Sequence, residues 1–454
     1  MWTDRMRAWP WLLILSGILF GLLAGCVPLQ PYHTARAASM AAGPAPVMHT
    51  PCYQPVRDGQ RVACVRFVEY DDFGNLFNRA QLDETVAAAR AVSSAGGIVI
   101  VYVHGWEHNA GAGDSDLSAF YQAVQNAQKL DIQYGDKRIV LGIYVGWRGQ
   151  SVSLPGVSKL TFWERKTTAQ SVGDGAVFEL FRKLANHRES FPRSRLVLIG
   201  HSFGAAVTYA SVSHSIIDQI IDDRYQYEGR TSTRNQPKRW DMVVLLNPAF
   251  EAMQLRPHFE LARSQSYLQN QLPHLVIITS QADWATRVAF PAGRYVRSTL
   301  NKYADPESPD LYRTAVGHYI PFITHQLTTE KDCSRFLDKP APVAADKLGT
   351  VVEAKYFCFG DSRAMLPDNA NKRLAQAVLL TRCEQAGDCA QVAGQHAMDV
   401  PPYMPILNIR TTQQVMTGHN DIWNPTMQGF LVQLLLYIVE GPRPHTPSTR
   451  LDQP

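Results

Sequence analysis

The residues with the clearest capacity for chemistry are Gly200-His201-Ser202-Phe203-Gly204. They join a β-branched apolar run, RLVLIG (195–200), to a helical apolar run from Phe203 to about Asp223. In such a strand–turn–helix the strained backbone lifts the serine hydroxyl clear of the sheet, and the two glycines let helix and strand close on each other. A serine hydroxyl is a weak nucleophile until an imidazole takes its proton and a carboxylate orients that imidazole. His419, in TTQQVMTGHNDIWNP, follows the last expected strand and precedes a closing helix, which makes it the expected base. His318 and His325 are rivals inside a more irregular stretch; His201 is expected to point away from the serine, and His214 to serve helix packing. Asp283, at the end of HLVIITSQAD, is the expected acid, with Glu251, after VVLLNPAF, as the alternative. Asp421 stands two residues from His419 and is expected to shape its loop, whereas Asp241 opens a strand at the wrong edge of the sheet.

Acyl chemistry at Ser202 needs two backbone N–H groups for the oxyanion, each worth about 3 kcal/mol in the transition state. Phe203 N–H supplies one. The segment Tyr102-Val103-His104-Gly105-Trp106 supplies the other, at Trp106 with Glu107 next, and His104 is expected to brace that loop. His104 to His108 also spells H-x-x-E-H, a metal-ligating pattern that works only when a helix presents both histidines on one face. Here it starts at a strand end with glycine in second place, so no metal is expected. Gly111-Ala112-Gly113 lacks an adjoining strand and is no dinucleotide fingerprint. No cofactor is expected.

The elements that must hold these groups alternate. Apolar, β-branched runs at 62–72, 98–105, 138–147, 195–200, 241–247, 274–280 and 404–412 read as strands. Helical stretches at 79–97, 116–131, 168–189, 203–223 and 427–441 lie between or after them. Strands buried on both faces and separated by helices imply a largely parallel sheet covered on both sides. The expected division is a core of 52–283 and 404–441, a flexible tail at 442–454, and an insertion or cap at 284–403 with little strand pattern beyond KYFCFG.

The 454 residues carry 44 Lys+Arg against 40 Asp+Glu, a net charge of +4, with 45% hydrophobic and 19% charged residues. Such a chain builds a core and is not disordered; 30 Gly and 28 Pro exclude collagen-like sequence. No cluster of basic residues points to nucleic acid. At the N-terminus, Arg5 and Arg7 precede fourteen apolar residues, Trp11 to Ala24, ending in Leu23-Ala24-Gly25-Cys26. That run is short for a membrane span and sized for a secretion signal. It resembles the lipobox of bacterial lipoproteins, which implies a signal peptide at 1–25, lipidation of Cys26 and a membrane partner reached through acyl chains. Val27 in place of aspartate resembles the outer-membrane-destined kind, placing the protein in the cell envelope. Residues 26–51, rich in Pro and Ala, read as a flexible tether. Six further cysteines in an exported chain suggest disulfides; proximity favours Cys52–Cys64, Cys383–Cys389 and Cys333–Cys358.

The order Ser202, Asp283, His419, with HG after one strand and GHSFG after another, resembles the α/β-hydrolase superfamily across roughly 62–283 and 404–441. The resemblance implies the α/β-hydrolase fold, a mostly parallel central sheet with helices on both faces and a large insertion before the histidine strand. It also implies a serine hydrolase acting through an acyl-enzyme. HGW stands where HGGG occurs in lipases and esterases. The favoured substrate is a carboxylic ester, small or lipidic, in keeping with a membrane anchor; amidase, peptidase or thioesterase activity by the same three residues is the alternative. A non-catalytic, membrane-tethered binding or scaffold protein is the reading from another class. No protein partner is indicated.

Overall fold

The computed structural model describes residues 26–33, 64–134, 137–152, 161–229, 239–268, 271–298, 302–303, 305, 308–330, 356–359, 377–383 and 398–440. The expected signal peptide and C-terminal tail lie outside these residues. Cys64 and Cys383 are each disulfide-bonded; each of the expected pairings, Cys52–Cys64, Cys383–Cys389 and Cys333–Cys358, has a member outside the described residues.

Seven parallel strands carry the molecule: β1 (Cys64–Glu69), β2 (Ile98–Val103), β3 (Val140–Gly146), β4 (Arg195–His201), β5 (Met242–Leu246), β6 (Leu275–Ser280) and β10 (Ile406–Thr411). With β7 (His325–Glu330), β8 (Tyr356–Phe359) and β9 (Ala377–Arg382) they form one sheet, in the order β1-β3-β2-β4-β5-β6-β10-β7-β9-β8. Only the pairings made by β9 are antiparallel. Every residue of β2, β3, β5, β6 and β10 is buried, as continuous apolar strands require when both faces are covered.

Alternate side chains feed two cores. On one face Val99, Val101, Leu198 and Ile277 pack under α1 (Arg79–Ser94), α3 (Phe162–Asp174), α4 (Ala176–Ser190), α5 (Phe203–Tyr227) and α6 (Ala252–Arg263). On the other, Ile100, Tyr102, Ile199 and Ile278 pack under α2 (Ser115–Tyr134) and α9 (Pro425–Glu440). This mostly parallel sheet with helices on both faces is the α/β-hydrolase fold, and its strand ends present the loops that matter below.

Three local outcomes differ from the sequence reading. The helical stretch expected at 168–189 is two helices, α3 and α4, parted at Gly175. The stretch 284–403 also holds more regular structure than expected. It opens with a π-helical turn, Ala285–Ala289, then α7 (Phe290–Arg297), α8 (Ser308–Arg313) and a 3₁₀ turn, Val316–His318. Its strands β7, β8 and β9 then extend the main sheet past β10, because HQLTTE and AVLLTR find partners in a sheet edge that sequence alone does not reveal. Finally, residues 26–33, expected as the start of a tether, lie against the body. Tyr32 and His33 N–H donate to the Glu69 carboxylate (2.7 and 2.9 Å), the His33 ring stacks on Phe67, and Val27 N–H donates to Ser151 (2.8 Å).

Candidate active site

Ser202 follows β4 directly and has φ of +56°, left-handed backbone that a non-glycine residue adopts only when its surroundings enforce it. They do so here through both peptide groups: Ser202 N–H donates to Leu246 O (3.0 Å), and its carbonyl accepts from Ala249 N–H (3.1 Å). The neighbouring glycines remove what would block the approach. A Cβ on Gly204 would lie 2.1 Å from Val103 O, and one on Gly105 would lie 2.8 Å from the Ser202 Cβ.

Three expected residues meet above the strand ends. His419 Nε2 is 2.7 Å from Ser202 Oγ, and its Nδ1 is 2.8 Å from Asp283 Oδ2. Asp283 is fully buried, and its carboxylate also accepts from Thr286 N–H (3.1 Å) and from the Thr286 hydroxyl. Burial alone would push the Asp283 pKa up. The His419 charge, the His419 hydrogen bond and the two from Thr286 outweigh it and hold the acid at about 2. This chain of serine, imidazole and carboxylate can move a proton off the hydroxyl and stabilise the imidazolium that results.

The other candidates go elsewhere. Glu251 is buried against Lys166 Nζ (2.9 Å) and Arg294 Nε (2.9 Å), so its charge serves that cluster. Asp241 binds Arg188 through both oxygens (2.7 and 2.9 Å). Asp421 accepts from Thr417 N–H and Oγ1 (both 2.8 Å), shaping the His419 loop as expected. His325 is buried on β7 beside Thr324, and His214 is exposed on α5, where helix packing was expected. His318 stands one group behind the acid, with Nε2 2.9 Å from Thr286 Oγ1. Since that hydroxyl gives its proton to Asp283, His318 is the donor to it.

His201 and His104 are structural donors. His201 Nε2–H donates to the carbonyl of His419 (2.9 Å); burial, then the His419 charge, pushes its pKa well below the usual imidazole range and keeps it neutral. His104 accepts Trp147 N–H at Nε2 (3.1 Å) and donates from Nδ1 to Gly105 O (2.9 Å); burial lowers its pKa to about 4. It is the brace expected of it. His108 turns instead to Asp114 (3.1 Å), so the H-x-x-E-H histidines take separate partners.

At the oxyanion side, Phe203 opens α5, where N–H groups have no intrahelical acceptor. Glu107 N–H, the alternative to Trp106 as second donor, is engaged by Gly149 O (3.2 Å). The Trp106 ring meets Phe162 edge-on (centroids 5.5 Å apart), and Phe162 in turn lies 4.7 Å from Phe203 and 5.3 Å from Trp163.

Two residues escaped the sequence reading. Asn247, with φ of +43°, caps β5; its Nδ2 donates to the carbonyls of His419 (2.7 Å) and Gly418 (3.3 Å), and its Oδ1 accepts Ser280 N–H (2.9 Å). Thr286 is the other. An asparagine ending an apolar strand is a signal for left-handed backbone; Thr286 carried no comparable mark.

No family model matches the chain, and no curated protein matches it. Among solved structures, an inhibited esterase B from Lactobacillus rhamnosis is similar at 16% identity over 42% of this chain, with a TM-score of 0.18. The chain spans 58% of the length of that esterase. A likeness this slight adds nothing to the geometry above.

Proposed function

We propose that the protein is a serine hydrolase that cleaves carboxylic esters through an acyl-enzyme. The observation that carries the reading is the 2.7 Å contact of Ser202 Oγ with an imidazole whose other nitrogen is 2.8 Å from a fully buried carboxylate. His419 takes the Ser202 proton as Oγ attacks the ester carbonyl, and Asp283 holds the imidazole in the tautomer that can do so. The N–H groups of Phe203 and Trp106 receive the oxyanion. As the intermediate collapses, His419 protonates the leaving alcohol; water, activated by the same imidazole, then releases the acid.

The ring cluster of Trp106, Phe162, Phe203 and Trp163 begins at the residue after Ser202, and this apolar surrounding supports an ester of an apolar acid over a peptide. Lipidation at Cys26 and attachment to the envelope, in the outer membrane, belong to the same reading and rest on the Leu-Ala-Gly-Cys sequence. Labelling by a fluorophosphonate tests the enzyme claim: wild type should label at Ser202 and Ser202→Ala should not. Turnover of p-nitrophenyl esters should fall by about a million-fold in that variant with its melting temperature retained. A wild type that neither labels nor turns over any ester would leave the scaffold reading.

A further inference from the structure

On the face of the sheet shared with α5 and α6, Leu275 and Ile277 of β6 and Ile406 of β10 enter the apolar core. The next positions along that face are polar: Thr279 on β6, then Asn408 and Arg410 on β10. Arg410 stands in register with Thr279 and with Gln326 of β7. The turn Val316–His318 covers them. Asn408 Nδ2 donates to Val316 O (3.2 Å), and Gly317 sits so close that a Cβ there would lie 1.8 Å from Thr279 Oγ1.

Arg410 is only 8% exposed. Its Nε and Nη1 are buried without an acceptor, and no carboxylate among the described residues pairs with it. The charged group that bears on it is another cation, Arg287. The Thr279 hydroxyl, a possible donor, is likewise buried without a partner. The groups facing His318 are Asp283, Arg410, Arg287 and His419, and the Asp283 carboxylate is already engaged by His419 and Thr286. A buried guanidinium with no counter-charge is costly. Water can accept its N–H bonds but leaves the charge uncompensated. An oxyanion does both, since two oxygens of a carboxylate or a phosphate match the Nε and Nη donors of one arginine.

We propose that Arg410, with Thr279 and Arg287, forms a subsite for a single oxyanion group, a carboxylate or a phosphate, beside the acid end of the Ser202–His419–Asp283 chain. The group is either a free anion or the anionic part of a substrate; only the second source rests on the ester-hydrolase reading.

Two measurements on the full chain test this. The first uses Ser202→Ala, so that no turnover is needed, and follows the melting temperature in sodium phosphate against sodium chloride at equal ionic strength. A saturable rise confined to phosphate is expected, and Arg410→Met should abolish it. The second compares p-nitrophenyl monoesters of dicarboxylic acids of graded length with neutral esters of the same length. One length should be preferred by about tenfold in kcat/KM, the scale of one charge-assisted contact, and Arg410→Met should remove the preference. The phosphate effect alone assigns the subsite to a free anion, and the length preference assigns it to the substrate. Absence of both, or survival of either in Arg410→Met, overturns the proposal. Should Arg410→Met fail to fold, the exposed Arg287→Gln should weaken the phosphate midpoint by about threefold, and an unchanged midpoint overturns it. A protein that hydrolyses no ester still answers the first measurement.

Discussion

Asn247 Nδ2 lies 2.7 Å from the carbonyl oxygen of His419, so the end of one strand holds the loop that carries the imidazole. His201 Nε2 reaches the same oxygen from β4 at 2.9 Å. Ser280, which ends β6, binds Met416 O through its hydroxyl at 2.6 Å. Three adjacent strands therefore fix the backbone around His419 before its side chain meets Ser202. Placing an imidazole this way spares the reaction the cost of finding the right orientation.

Asp283→Asn should lower kcat on a neutral ester by about ten-thousand-fold with little change in fold, because an amide favours the wrong imidazole tautomer. Glu251→Gln should do the reverse. It leaves Lys166 and Arg294 buried beside a neutral group, so about 3 kcal/mol of stability should go while kcat stays within a small factor. Paired urea melts and steady-state kinetics separate the two, and a mild Asp283→Asn effect would move the acid role elsewhere.

Thr286 binds Asp283 through both N–H and hydroxyl and so acts as a positioning residue. Thr286→Val keeps the shape and removes the hydroxyl; kcat should fall by about tenfold with KM retained, and Thr286→Ser should restore it. Loss of KM without loss of kcat, or no rescue by serine, would contradict this role.

Burial lowers His104 to about 4, His318 to about 4 and His325 to about 3. Between those values and the ordinary 6.5 the unfolded chain binds protons that the folded one refuses, so stability falls as pH drops through that window. Asp283 acts lower down: its contribution, on the order of 2 kcal/mol, is complete above about pH 3.8 and is lost as pH falls toward 2. Urea unfolding from pH 7 to pH 4 should show a loss of several kcal/mol, shallower in His325→Phe. A flat profile would mean that these histidines bind protons in the folded state.

With Cys26 lipidated as proposed, Cys26→Ser should move the protein from the membrane to the soluble fraction, since acyl chains on that thiol would supply the anchor. Fractionation followed by immunoblotting decides it, and unchanged fractionation would reject lipidation.

Much of this site is legible in sequence because chemistry and punctuation coincide there. Gly200 and Gly204 mark the turn, and buried apolar runs end at Val103, His201, Ser280 and Thr411, from which the functional loops spring. Sequence position, at the end of a strand between serine and histidine, favours Asp283 over Glu251, and the structure separates them by partner: His419 for one, Lys166 and Arg294 for the other. What escaped depends on contacts between distant segments. Thr286 reads as an ordinary helix residue until Asp283 folds back on it, and Arg410 reads as a strand-end charge until the turn at Val316–His318 buries it. Of the strands in this stretch, KYFCFG is legible, whereas β7 and β9 are not for the same reason, since a strand at a sheet edge is defined by its neighbour.

Residues 26–33 clasp the rim from which the Ser202, Trp106 and His419 loops rise. Val27 pairs with Ser151, and Arg148, next to the Gly149 that holds Glu107, donates from Nη1 to Val27 O (3.0 Å). Cys26 therefore leaves the body beside the segment 148–152 that follows β3, bridged to Val152. With Cys26 lipidated as proposed, a pull at that point would turn this end of the sheet toward the membrane, and the docking of residues 26–33 would keep the body close to it.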